Sequence, residues 1–185
     1  ADTGRIIREG LSVSIVGKPN VGKSSLMNVL MGENRAIVTD IPGTTRDIIE
    51  ESMVIKNIPV VITDTAGIRD TEDIIEKIGI EKSKTALSRA DLIIFVIDAS
   101  RPLEEEDMQI MSHVAGRRAI VLLNKSDKGL AADRALIEKE LPSAVIIETS
   151  VIGGRGIEEL TQAIEDMVYG GKVSQKENLM VTNVR

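Results

Sequence analysis

The sequence predicts an α/β fold: a mostly parallel six-stranded sheet with one antiparallel edge strand and helices on both faces. Two observations carry this reading. Short runs dominated by Ile, Val and Leu recur at 11–16, 60–63, 92–97, 119–123 and 144–147, with segments of helical length and polarity between most of them. A sixth, more polar stretch from Asp47 to Lys56 stands directly before Val60-Val-Ile-Thr63, with Asn57-Ile58-Pro59 as its turn, so these two strands form a hairpin.

Each element follows in order. Leu11 to Val16 is the first strand, and Ser24 to Leu30 belongs to the helix behind it. A helix is expected over Gly79 to Ala90, ahead of the fully buried strand Leu92 to Ile97. Pro102 stands where the next helix begins, and Glu104-Glu-Glu-Asp107 fills its first turn. Acids there oppose the helix dipole, so the run reads as a helix start rather than a metal site. Ala119–Leu123 and Ala144–Ile147 complete the sheet, with helices near Ala131–Glu140 and Ile157–Val168. The ends differ from the middle. Residues 1–10 are polar with no core partner in view, Gly170-Gly171 closes the last helix, and Lys172 to Arg185 is a mostly polar tail. Residues 1–10 and 172–185 therefore read as linkers flanking one domain at 11–171, as if cut from a longer chain.

Composition narrows the function classes. With 42% apolar residues in 185, the chain can bury a real core. Ile and Val carry it, because Phe95 and Tyr169 are the only aromatics. Stacking platforms for single-stranded nucleic acid are therefore missing. Twenty-nine acids against 23 bases give a net charge of −6, which repels a phosphate polymer. No cysteine is present, which suits a reducing cytoplasm and removes thiolate metal sites. The longest apolar run is far too short to span a bilayer, so no membrane role is expected. His113 stands alone in a polar helical stretch, without ligand partners nearby in sequence.

The motifs point to a nucleotide. Gly17-Lys-Pro-Asn-Val-Gly-Lys-Ser24 lies between the first strand and the first helix. Its glycines let backbone amides along Asn20, Val21, Gly22, Lys23, Ser24 and Ser25 surround a phosphate at a helix N-terminus. Lys23 supplies a point charge for the β and γ oxygens, and the Ser24 hydroxyl suits Mg²⁺. Asn124-Lys-Ser-Asp127 follows a later strand. The Asp127 carboxylate can accept from both N1–H and the 2-amino group of guanine, and adenine offers no such pair. Losing paired hydrogen bonds of this kind costs a competitor on the order of 10⁴–10⁵-fold. Asn124 braces the loop, and the stem of Lys125 covers one face of the base. Thr149-Ser150 after the next strand fits a second base-contacting loop, acting through backbone at Ser150 and Val151. Asp64-Thr-Ala-Gly67 follows the strand at 60–63. There Asp64 can hold Mg²⁺ through water, and the Gly67 amide can reach a γ-phosphate unobstructed. Gly43-Thr44-Thr45 adds a second Mg²⁺-directed hydroxyl, that of Thr45.

These five motifs, in this order, resemble the translation-factor-related P-loop GTPases, whose Ras-like G domain has the sheet expected above. GKPNVGKSS at 17–25, TDIPGTTRD at 39–47 and DTAGIR at 64–69 are similar to two branches: the MnmE (TrmE) type of tRNA-modification GTPase and the Der (EngA) type of ribosome-assembly GTPase. The acidic stretch Asp70 to Ser83, with its Ile-Gly-Ile-Glu-Lys-Ser, and both chain ends resemble the MnmE type.

The resemblance implies a chemistry. Ile68 occupies the place where Ras-like proteins carry a water-orienting Gln. By resemblance, Glu76 takes that task through a bridging water, with Lys23, Thr45 and Gly67 completing the catalytic set. From spacing alone, Glu76 is one of several acids at a solvated helix start. The resemblance also implies a bound K⁺ in place of an arginine finger, held by Asn20, Thr44 and the carbonyls of Thr39 and Ile41. Taken alone, Asn20 is a turn residue after Pro19, and Arg69 is a solvated loop arginine. The implied protein is a cytoplasmic, K⁺-stimulated switch that binds GTP and GDP. It pairs through its G domains as a homodimer and drives tRNA wobble-uridine modification with a flavin-dependent partner. The alternatives are a Der-type GTPase and a GTP-binding interaction module with negligible turnover.

Overall fold

A computed structural model describes residues 3–34, 50–63 and 89–183, and the structural statements that follow concern those residues. Six strands form one sheet: β1 (Leu11–Val16), β2 (Glu50–Ile55), β3 (Ile58–Thr63), β4 (Leu92–Asp98), β5 (Ala119–Asn124) and β6 (Val145–Glu148). Their spatial order is β2-β3-β1-β4-β5-β6. Every neighbouring pair is parallel except β2 with β3. The helices are α1 (Thr3–Glu9), α2 (Lys23–Asn34), α3 (Glu105–Val114), α4 (Arg134–Glu140) and α5 (Ile157–Asn183). The helix expected over Gly79 to Ala90 lies, but for its last two residues, outside the described residues.

Two apolar cores explain why the central strands are Ile- and Val-rich at successive positions. Along β4, Leu92, Ile94 and Val96 face one core, while Ile93, Phe95 and Ile97 face the other. Strand side chains alternate between faces, so a strand covered on both sides must be apolar throughout. The first core is closed by Leu26 and Leu30 of α2 and by Leu160 and Ile164 of α5. Met111 and Val114 of α3 and Ile137 of α4 close the second.

Three expectations need correction. The hairpin turn is Lys56-Asn57, with φ of 51° and 65°, and Ile58 and Pro59 already belong to β3. Two successive residues of positive φ make the tight turn whose twist suits a two-residue hairpin. Proline is tolerated inside β3 because Ile55 and Ile58 close the hairpin, which leaves Val54 opposite Pro59 as a non-bonded pair. The missing N–H therefore faces β1, where pairing begins only at Val60.

Residues 1–10 also have a core partner. Ile6 on α1 is 2% exposed and joins the first core. Arg5 fastens that helix to Asp91 at 2.6 Å, and the other Asp91 oxygen accepts the Ser12 amide at 3.0 Å. Finally, the last helix does not close at Gly170-Gly171 but runs 27 residues, to Asn183. Gly170 does not adopt the positive φ of a terminating cap. A helical glycine costs about 1 kcal/mol relative to alanine, so the pair weakens the helix locally without ending it. Among the described residues, no helix is long and apolar enough to cross a membrane.

Because Ile6 fills part of the core, Ile6→Ala is expected to lower unfolding stability by about 2–4 kcal/mol, measured by urea denaturation. A change within error would show that α1 is not part of the folded unit.

Candidate functional site

The sheet topology creates the site. From β1 the chain leaves toward β3, and from β4 it leaves toward β5, so a crevice opens between their carboxyl ends. Ligands of open α/β sheets bind at such a switch point. The segment 17–22 leaves β1 there and enters α2 at Lys23. Its shape demands glycine at two places. A Cβ on Gly17 would lie 2.5 Å from the Val96 carbonyl oxygen, and one on Gly22 would strike the Asn124 carboxamide nitrogen. Gly22 also has φ +110°. The Lys23 ammonium donates to the Gly17 carbonyl at 2.6 Å, folding back across the loop it serves.

Asn124, at the end of β5 and 3% exposed, holds three pieces together. Its Nδ2 donates to the Val21 carbonyl at 2.8 Å. Its Oδ1 accepts from the Thr149 hydroxyl and from the Val151 amide, both at 3.1 Å. The loop after β6 is thereby locked to the loop after β1. The Val151 N–H, expected to contact a base, is directed inward at Asn124, whereas Ile152 beside it is 89% exposed. Asp127 lies in a single 3-10 turn, Ser126–Lys128, and its Oδ1 accepts from the Ser150 hydroxyl at 3.1 Å. That bond orients the carboxylate and brings Asp127 and Ser150 together at the mouth of the crevice.

Lys125 is left-handed, with φ 59° and ψ 32°, and its ammonium reaches in two directions. It donates to the Asn20 carbonyl at 2.7 Å and lies 3.6 Å from Asp98 Oδ2. The tether fixes the lysine stem at the place where it can cover a base. Partial burial pushes the Asp98 carboxyl upward, but the Ser100 hydroxyl and amide and the Lys125 charge outweigh it and hold it below its ordinary value. A lowered carboxyl pKa means that the stabilisation is present at neutral pH and fades only as pH falls through a value below 3.8.

The acidic run at 104–107 is a helix start, as the sequence suggested. Glu104 is the N-cap of α3, and its amide donates to Asp107 Oδ2 at 2.9 Å. The partner of this carboxylate comes from far along the chain: Lys18, whose ammonium is 3.0 Å from Asp107 and 3.4 Å from Glu104. Asp98 and Lys18 are the site residues that sequence reasoning missed. An acid closing an otherwise apolar strand was a usable signal for Asp98, and no local pattern marks Lys18.

The profile of the family described as "50S ribosome-binding GTPase" matches residues 12–125, which include the phosphate loop and the first two residues of the base-reading motif. The chain belongs to this GTPase family. It is a GTP-hydrolysing enzyme. Two curated relatives, the tRNA modification GTPases MnmE of Clostridioides difficile (strain 630) and Alkaliphilus oremlandii (strain OhILAs), are each 56% identical over all 185 residues. The chain spans 40% of the length of either. Among solved structures, Era in complex with MgGDPNP and nucleotides 1506–1542 of 16S ribosomal RNA superimposes with a TM-score of 0.59 at 34% identity, over 83% of this chain and 55% of that one. The G domain of the T. maritima FeoB iron transporter gives 0.58 at 27% identity, over 84% and 97%.

The residues of this GTPase suit a nucleotide with Mg²⁺. Gly17 and Gly22 keep the cradle free of side chains, Lys23 and the start of α2 supply positive charge, and Ser24 places a hydroxyl in the first helical turn. Thr45 and Asp64, the other expected Mg²⁺ residues, lie outside the described residues. So do Thr39, Ile41, Thr44, Gly67, Ile68, Arg69 and Glu76. Asn20 is exposed and left-handed at φ 65°.

Two outcomes follow from the geometry. Asn124→Ala leaves the Val21 carbonyl and the Val151 amide without their partner, at about 1–3 kcal/mol for each buried group. Both the melting temperature and GDP affinity are therefore expected to fall. Asp98→Asn removes one of the two partners of the Lys125 ammonium and is expected to weaken GDP binding several-fold, about 1 kcal/mol by titration, and to lower the melting temperature at neutral pH.

Proposed function

We propose that this chain is the GTP-driven switch of a tRNA-modification enzyme of the MnmE type, stimulated by K⁺ and activated when two G domains pair. The observation that carries the reading is the 56% identity to tRNA modification GTPases over the full length of this chain. The whole protein would drive wobble-uridine modification together with a flavin-dependent partner. The modification chemistry would lie in the remaining length that such relatives possess.

In this reading the chain's own residues divide the work of hydrolysis. The amides of 20–25 and the Lys23 ammonium bind the β- and γ-phosphates, and Asp127 selects guanine. Ser24, Thr45 and Asp64 would hold Mg²⁺, which when bound neutralises charge on the β- and γ-oxygens. Asn20, Thr44 and the carbonyls of Thr39 and Ile41 would hold K⁺ through neutral oxygens, so the cation would bring charge that those ligands do not cancel. Glu76 orients the attacking water in place of the glutamine that Ile68 replaces. The loop carrying Asn20 is already anchored by Lys125, which supports its use as a fixed cation ligand.

Multiple-turnover GTPase assays in KCl and NaCl test this reading. Faster turnover in KCl is expected, abolished by Asn20→Ala with GDP affinity retained. Equal rates in both salts would overturn the potassium assignment. Glu76→Ala is expected to lower the potassium-stimulated rate by about 10²-fold or more, a general-base-sized effect. Unchanged turnover in that variant would remove Glu76 from the mechanism. A second reading, a ribosome-assembly GTPase of the Der type, draws on the match to a family described as a 50S ribosome-binding GTPase. It predicts stimulation by large ribosomal subunits, which the first reading does not.

A further inference from the structure

The phosphate loop contains two lysines, and one of them, Lys18, is turned away to a pair of acids. Lys18 is the second residue of the loop, yet its side chain is 11% exposed and its ammonium is held by Asp107 at 3.0 Å and Glu104 at 3.4 Å. Asp107 is itself 2% exposed at its side chain. This pair bridges the crevice between β1 and β4, since Lys18 follows β1 and the two acids open the helix that follows β4. Two carboxylates cancel the lysine charge, so Lys18 adds little attraction for an anion. What it contributes is geometry. It fixes the residue next to Gly17, whose carbonyl receives Lys23 and whose α-carbon packs against Val96.

We propose that the Lys18–Asp107 ion pair is a positioning device for the phosphate loop, fastening it to the start of α3 so that its amides are aimed at the β-phosphate before nucleotide arrives. The proposal rests on nucleotide binding at residues 17–24. Two carbonyls of the same loop, those of Asn20 and Val21, are anchored from β5 and the residue after it. Lys18 supplies a further, separate anchor, to the helix that follows β4, so the loop after β1 is fastened to the opposite wall of the crevice at three points. A loop ordered in advance loses less freedom on binding, and that saving appears directly as affinity. One oxygen of Asp107 accepts both from the Glu104 amide and from Lys18, while Oδ1 has no hydrogen bond among the described residues. The buried carboxylate therefore depends on Lys18 for its neutralisation. Burial lowers the lysine's affinity for its proton, but the two acids more than restore it, so Lys18 keeps its charge at neutral pH.

Competition titrations with a fluorescent GDP analogue, using GMP, GDP and GTP on the full chain, test the proposal. Tight binding by the unaltered protein establishes the site itself, so the outcome for the variants reads the positioning role separately. K18M is expected to weaken GDP and GTP by about tenfold each, while GMP, which has no β-phosphate, is unchanged. K18R retains the pair and is expected to restore affinity to within about threefold of the unaltered value. Removing one member of a buried pair also destabilises the fold, so K18M/D107N, which removes both charges of the pair and keeps an oxygen for the Glu104 amide, separates the effects. The double variant is expected to melt near the unaltered protein and still bind GDP weakly. Unaltered GDP affinity in K18M or in the double variant would overturn the proposal. So would an equal loss for GMP, which would mark general damage to the site.

Discussion

The Asn124 carboxamide is the junction on which the nucleotide site depends. One buried amide group, with one donor and two accepted hydrogen bonds, ties together the turn after β1, the end of β5 and the loop after β6. These segments are about 100 and 25 residues apart in sequence and are brought into register only by the parallel sheet. The hydrogen bonds are made in a place that water does not reach, where an unmade one is costly and a satisfied set rigidifies its members. Because Gly22 passes directly against the carboxamide, the phosphate loop and the base-reading loop cannot change shape independently.

Around that junction the molecule separates two tasks. The two apolar cores hold the sheet, and they are made almost wholly of aliphatic side chains on the middle strands and the covering helices. The polar groups that matter collect at the carboxyl ends of the strands: Asp98, Asn124 and Thr149, with Lys18 and Asp107 beside them. None of these groups is needed to make the sheet. All of them decide how loops lie at its edge. The acids at the start of α3 serve both tasks, opposing the helix dipole and holding a lysine from the opposite wall.

The strands were the most legible part of the sequence. Leu92 to Ile97 and Ala119 to Leu123 are uniformly apolar because both faces are buried, and their limits in the structure differ from those expected by a single residue. The loops at 17–24 and 124–127 were legible for another reason: phosphate and guanine each demand particular chemistry at fixed spacing. What the sequence concealed was set by tertiary contact. Ile6 looked like half of an isolated Ile6-Ile7 pair in a polar segment, and its burial depends on a partner surface assembled elsewhere. Pro59 looked like a turn residue, and only the hydrogen-bonding register makes it acceptable in a strand. Gly170-Gly171 looked like a stop, and a weak local preference yielded to the surrounding helix. The Lys18–Asp107 pair joins residues 89 positions apart and has no local signature at all.

The scarcity of aromatic residues leaves the protein optically simple. There is no tryptophan, and Tyr169 is the only tyrosine. It is partly buried against the first core on the last helix, one residue before Gly170 and within a helix that continues to Asn183. Intrinsic fluorescence excited near the tyrosine band therefore originates from one address, the stretch of α5 that packs on the body. Any event that lifts or reseats this helix will be written in that single emission, without a label and without a competing chromophore in the chain.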